Sequence, residues 1–110
     1  MDLDTLTQAM HDFVESKGWL NEDSPKQQTQ RNLAISLVLE ASEVLEHFQW
    51  SDESNSPDEL ADELADVMLY LLQLASCSGI DLGQAVLTKL EKNHAREWRD
   101  SLESAGASAD

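Results

Sequence analysis

Leu33-Ala-Ile-Ser-Leu-Val-Leu-Glu40-Ala-Ser-Glu43-Val-Leu-Glu-His-Phe-Gln-Trp50 is the stretch on which the fold turns. Leu33, Leu37, Ala41, Val44 and Phe48 recur at helical spacing and form one face. Ala34, Val38 and Leu45 widen that face, and Ile35 and Leu39 lie behind it. A helix apolar on nearly every side is expected to be buried rather than surface-lying. Yet Glu40 and Glu43 stand in one narrow lane beside the stripe, roughly 60° and 120° from Leu37 at about 100° per residue. Carboxylates beside a buried seam are costly unless a cation or a donor meets them. The rest of the chain is read as what meets them.

Working outward, Leu3, Leu6, Met10 and Phe13 predict a first amphipathic helix, capped by Asp2 or Asp4 and stopped by Gly18. A polar connection, Trp19 to Asp23, follows. Ser24-Pro25-Lys26-Gln27 has the form of a capping box, so the second helix starts near Pro25 or one turn later behind Thr29. It runs to about Trp50. Ser51 to Asn55 is an acidic turn. Ser56-Pro57-Asp58-Glu59 opens a third helix, with Leu60, Leu64, Val67, Leu71 and Leu74 on one face and Gly79 at its end. Asp81-Leu82-Gly83-Gln84 opens a fourth, through about Trp98. Four helices with short connections and no strand signal predict an all-α four-helix bundle. Residues 1–100 form one domain, and the small, polar stretch 101–110 reads as a disordered tail.

Composition narrows the function. The chain has 110 residues and a net charge of −15, with 22 acids against 7 Lys and Arg. That argues against nucleic-acid polymers and anionic membranes as partners, because both select basic surfaces. A small phosphorylated ligand accompanied by a divalent metal remains compatible. Cys77 is the lone cysteine and reads as a small core residue rather than a nucleophile. No signal peptide is recognisable and no apolar run approaches membrane-spanning length, so a cytoplasmic protein is expected.

The third helix repeats the anomaly of the second. Glu63 and Asp66 flank its stripe at about the angles of Glu40 and Glu43. Two such helices side by side would gather four hard oxygen ligands, which suit Mg²⁺, with Mn²⁺ as a substitute. A solvated acidic face is the plainer alternative. On the fourth helix Lys89, Asn93 and Arg96 share one face, as phosphate-binding side chains would. They could equally pair with surface acids. Trp19, Phe48 and Trp50 are candidates for stacking on a base. His47 reads as a polar structural residue. A di-iron site is disfavoured, since Glu91 and His94 form the only Glu-x-x-His pair.

Taken together, Glu40-x-x-Glu43, a 19-residue spacer, Glu63-x-x-Asp66, the Phe48-Gln49-Trp50 ending, Tyr70-Leu71 and Lys89-x-x-x-Asn93-x-x-Arg96 resemble the MazG-like all-α nucleotide pyrophosphohydrolases, in particular the dCTP pyrophosphatase-like branch. The resemblance covers about Trp19 to Arg96. It implies hydrolysis of nucleoside triphosphates between the α and β phosphates, in service of nucleotide pool control. Carried over, Glu40, Glu43, Glu63 and Asp66 are the catalytic Mg²⁺ ligands. Lys89, Asn93 and Arg96 hold the phosphates, and Trp50 with Trp19 contacts the base. The resemblance further implies a homodimer or homotetramer with sites at subunit interfaces. Two departures bear on specificity: Glu97-Trp98 follows Arg96 where the family often has Tyr-Pro, and Gln28, Thr29 and Gln30 stand where close relatives place a His. A non-enzymatic helical oligomerisation module and a dUTP-acting all-α phosphohydrolase are the competing readings.

Overall fold

The computed structural model describes the backbone of residues 1–109 and the side chains of residues 1–104. Four helices follow in order: α1 (Leu3–Ser16), α2 (Gln30–Glu46), α3 (Pro57–Cys77) and α4 (Leu82–Ala109). No strand occurs among the described residues. The chain divides into two compact units, Met1–Ile80 and Asp81–Asp110, so α1, α2 and α3 pack as one body and α4 stands as another. Within the first unit α3 is central, with α2 lying along it and α1 against it.

The helix ends follow from local chemistry. Asp2 accepts the backbone N–H of Thr5 at 2.8 Å, and that bond holds its carboxyl below the ordinary aspartate value. Thr29 caps α2 by accepting the Asn32 N–H at 3.1 Å, so the later of the two expected starts is the real one. The Ser24 to Gln27 box builds a turn instead of a helix. Ser24 Oγ accepts the Lys26 N–H, and the Gln27 amide donates to the carbonyls of Asn21, Glu22 and Ser24. Ser56 precedes Pro57 as expected but makes no side-chain cap bond; its own N–H donates to Ser54 Oγ. Asp81 caps α4 through the Gln84 N–H at 3.0 Å. α1 and α3 both end in a glycine of positive φ, Gly18 at +71° and Gly79 at +69°. In each case the glycine N–H returns to the third residue before it, and the next N–H to the fifth residue before itself. This double closure satisfies two orphan carbonyls and demands a left-handed residue.

Three sequence expectations need correction. The buried apolar core is small: Met10, Val14, Leu33, Leu72 and Ala75. α2 is therefore not buried all round. Leu33 is enclosed, but Ile35, Val38, Leu39 and Leu45 are exposed, because its neighbour covers one side only. Cys77 is exposed at the end of α3 rather than packed inside. α4 does not stop near Trp98 but is helical to Ala109. Of the tail expected to be disordered, Asp110 and the side chains of residues 105–110 lie outside the described residues.

Candidate active site

Glu40 and Glu43 project from α2, and Glu63 and Asp66 from α3, into the seam between the two helices. Their fields overlap. Glu40 has its carboxyl pushed above the ordinary glutamate value, first by burial, then by Glu43, which lies close enough to share a proton, and then by the charges of Glu43, Asp66 and Glu63. Glu40 Oε2 and Glu63 Oε2 are both buried without a hydrogen-bond donor. Buried oxygens without donors are uncommon in folded proteins, and each costs about 1–3 kcal/mol, more when charged. Glu43 and Asp66 are exposed at the rim.

One cationic candidate reaches into the cluster. His47 Nε2 touches Glu63 Oε2, yet no hydrogen bond forms between them. The other ring nitrogen, Nδ1, lies 2.7 Å from Ser54 Oγ. His47 is thus a member of the site, which sequence reasoning did not assign. Its partner in the cluster sits on the other helix, 16 positions on, beyond the reach of any local spacing rule.

The donor set fits a hard divalent cation. Four carboxylates, two of them carrying buried oxygens without donors, supply the ligand type that Mg²⁺ and Mn²⁺ select. Among the described residues no three acidic, His or Cys side chains yet converge on one point.

A cavity of about 420 Å³ opens at the N-terminal end of α2, lined among others by Trp19, Lys26, Gln28, Asn32, Ser36 and Tyr70. Trp19 stacks edge-on against Phe13 with centroids 5.7 Å apart, and the Lys26 ammonium sits 4.9 Å above its ring. The cavity offers an aromatic wall and amide groups, a lining that suits a small ligand with a flat ring and polar edges. Tyr70 stands one helical turn beyond Asp66 on α3, so acids and cavity are contiguous along that helix. That spacing was visible in the sequence but was not used to assign Tyr70.

Trp50 is placed elsewhere. It is 90 % exposed, past the C-terminal end of α2, and does not line this cavity. Asn32 and Glu46 are about 21 Å apart along the helix axis at 1.5 Å per residue, so Trp19 and Trp50 mark opposite ends of α2. Phe48, also a stacking candidate, is 39 % exposed. Lys89, Asn93 and Arg96 are exposed on one face of α4, within the second unit.

Residues 35–106 match the MazG-like family, a span that includes both acidic pairs and the Lys/Asn/Arg face. The chain belongs to the MazG-like family. Bovine dCTP pyrophosphatase 1 is 34 % identical over 103 residues, covering 86 % of this MazG-like chain and 58 % of the bovine protein. The human protein of the same name is also 34 % identical over the same extent. The chain thus spans little more than half the length of these relatives. A dATP/dGTP diphosphohydrolase from Cyanophage S-2L is 31 % identical over 85 residues, and the match covers 72 % of the phage protein. Among solved structures, a pyrophosphatase from Archaeoglobus fulgidus is 35 % identical with a TM-score of 0.69, over 86 % of this chain and 90 % of that one.

Proposed function

We propose that this MazG-like protein is a Mg²⁺-dependent nucleoside triphosphate pyrophosphohydrolase that cleaves between the α and β phosphates, releasing a monophosphate and pyrophosphate. The observation that carries the reading is the pair of buried oxygens on Glu40 and Glu63 that no hydrogen bond satisfies, the second touched only by His47, facing a seam that two further acids complete. The names of the relatives from cattle, human and phage agree in nucleotide phosphate chemistry.

Glu40, Glu43, Glu63 and Asp66 would hold the ion. Once bound, Mg²⁺ supplies charge neutralisation of the triphosphate and polarisation at the α-phosphorus. The chain's own contribution is positional. The α2–α3 seam fixes the acids, and one motif carboxylate takes the proton of the attacking water. On the likeness to the family, Lys89 and Arg96 of the second unit would balance phosphate charge, and Asn93 would donate without adding charge. The cavity beside Trp19 and Tyr70 takes the nucleoside.

Trp50 serves the base only if a second copy of the chain brings it there, because its own α2 holds it far from Trp19. The exposed Ile35, Val38, Leu39 and Leu45 face of α2 gives that second copy a place to dock. We therefore read the working form as a homodimer or a tetramer built from dimers, acting in the cytoplasm. The substrate is dCTP or a modified or non-canonical deoxynucleoside triphosphate, on the likeness to the mammalian enzymes. A purine deoxynucleotide is the second reading, favoured by the phage relative.

The test is pyrophosphate release from a panel of canonical and modified nucleoside triphosphates, with and without Mg²⁺. Metal-dependent release with monophosphate as co-product is expected. No release at high enzyme concentration would leave a helical interaction module as the better reading.

A further inference from the structure

The core of the first unit encloses one polar side chain among its described residues, Gln73, which is 8 % exposed. A buried amide is costly unless bonded. Its Nε2 donates to Oε1 of Gln28, a residue 45 positions earlier in the α1–α2 connection. Gln28 in turn donates from its own Nε2 to the Lys26 carbonyl at 2.5 Å. The second bond decides how the Gln28 amide is turned. Its nitrogen must face Lys26, so its oxygen faces Gln73 and only a donor can meet it there.

This bond anchors a connection that is otherwise tied to itself. The Gln27 amide gathers three of its carbonyls, and the Asn32 amide donates to the Gln27 carbonyl at 3.0 Å. The same connection carries Trp19 and Lys26, which wall the cavity together with Gln28 and Tyr70. On α3, Asp66, Tyr70 and Gln73 follow at i, i+4 and i+7, so one stripe presents an acid, a ring and an amide in sequence. After its bond to Lys26, Gln28 keeps one N–H with no partner among the described residues.

We propose that Gln73 is a positioning residue for nucleoside recognition: it clamps the Gln28 amide, fixing the Trp19–Lys26 wall and leaving one Gln28 N–H on the cavity surface to meet an acceptor on the base. This rests on the nucleotide reading above and adds to it the device that discriminates bases. Gln73 lies two helical turns beyond Asp66 on α3, on the side of Tyr70 and Gln28, so its effect is expected at the nucleoside end.

The experiment compares wild type with Gln73→Leu and Gln28→Ala. Affinities for α,β-methylene analogues of the four deoxynucleoside triphosphates, and for inorganic pyrophosphate, are read from quenching of tryptophan fluorescence. Steady-state kinetics on the four natural triphosphates accompany them. Loss of one bond of this kind should weaken the preferred analogue by about tenfold and compress the ranking of bases. KM should rise with kcat nearly unchanged, and pyrophosphate affinity should stay at the wild-type value. The double variant should be no worse than Gln28→Ala alone, since that change already removes the Gln73–Gln28 bond together with the Gln28 N–H. A merely structural role would lower the melting temperature and weaken pyrophosphate along with the nucleotides. If Gln73→Leu fails to fold, Gln73→Met, which keeps the length and removes the donor, takes its place. A folded Gln28→Ala that keeps the wild-type ranking overturns the clamp. A wild type that binds pyrophosphate and metal but no nucleoside analogue overturns both the clamp and the nucleotide reading.

Discussion

Glu40 carries the heaviest electrostatic load of any described residue. Its carboxyl is raised above the ordinary glutamate value by burial and by three neighbouring acids. A group whose folded value exceeds its unfolded one contributes stability that is present in full below the ordinary glutamate value of 4.5 and is lost as pH rises through the folded value. The metal-free protein should therefore lose stability on passing from about pH 4.5 upward. Thermal melts across that range, in chelator, check the sign. Glu40→Gln removes the cost, so it should raise the metal-free melting temperature by a few degrees at neutral pH while abolishing stabilisation by Mg²⁺. Glu43→Gln and Asp66→Asn should each keep the helical circular dichroism and lose activity by on the order of 100-fold or more, since changes even one shell further from a metal cost about 10–100-fold.

At the level of elements, the two glycine closures invite a direct comparison. A Cβ at Gly79 would meet nothing within 4 Å, so Gly79→Ala isolates the backbone cost of a left-handed residue, about 1–2 kcal/mol. For a unit of this size that is a fall of roughly 4–16 °C in melting temperature. Both closures were legible, because glycine after an apolar-periodic run has few other uses. The start of α2 was not, since two cap signals stood five residues apart. Ser24 lost because the Gln27 amide found three carbonyls behind it and folded the connection onto itself. The acidic pairs were legible as an anomaly within each helix, whereas the His47–Glu63 contact and the Gln28–Gln73 bond join separate elements and leave no periodic trace. The uncovered face of α2 makes its own prediction. Val38→Glu and Leu45→Glu should each shift the protein to monomer in analytical ultracentrifugation and remove activity if Trp50 acts across the interface.

For the whole molecule, a net charge of −15 spread over 110 residues means the folded chain is self-repelling. Simple salt should stabilise it modestly by screening. Mg²⁺ at matched ionic strength should do much more, because it also fills a specific site. The difference between melting curves in NaCl and MgCl₂ separates the two, and Glu40→Gln should erase that difference alone.

The bare flank of α2 has a further consequence, for synthesis rather than for catalysis. If a second copy covers it, folding is completed by a bimolecular step, and the stability of the product depends on how many chains are present. A freshly made chain in a dilute cell would wait with Val38, Leu39 and Leu45 in water. Below a threshold abundance the protein would be scarcer in its working form than its total amount suggests, so any activity of the pair would climb with roughly the square of expression, by mass action.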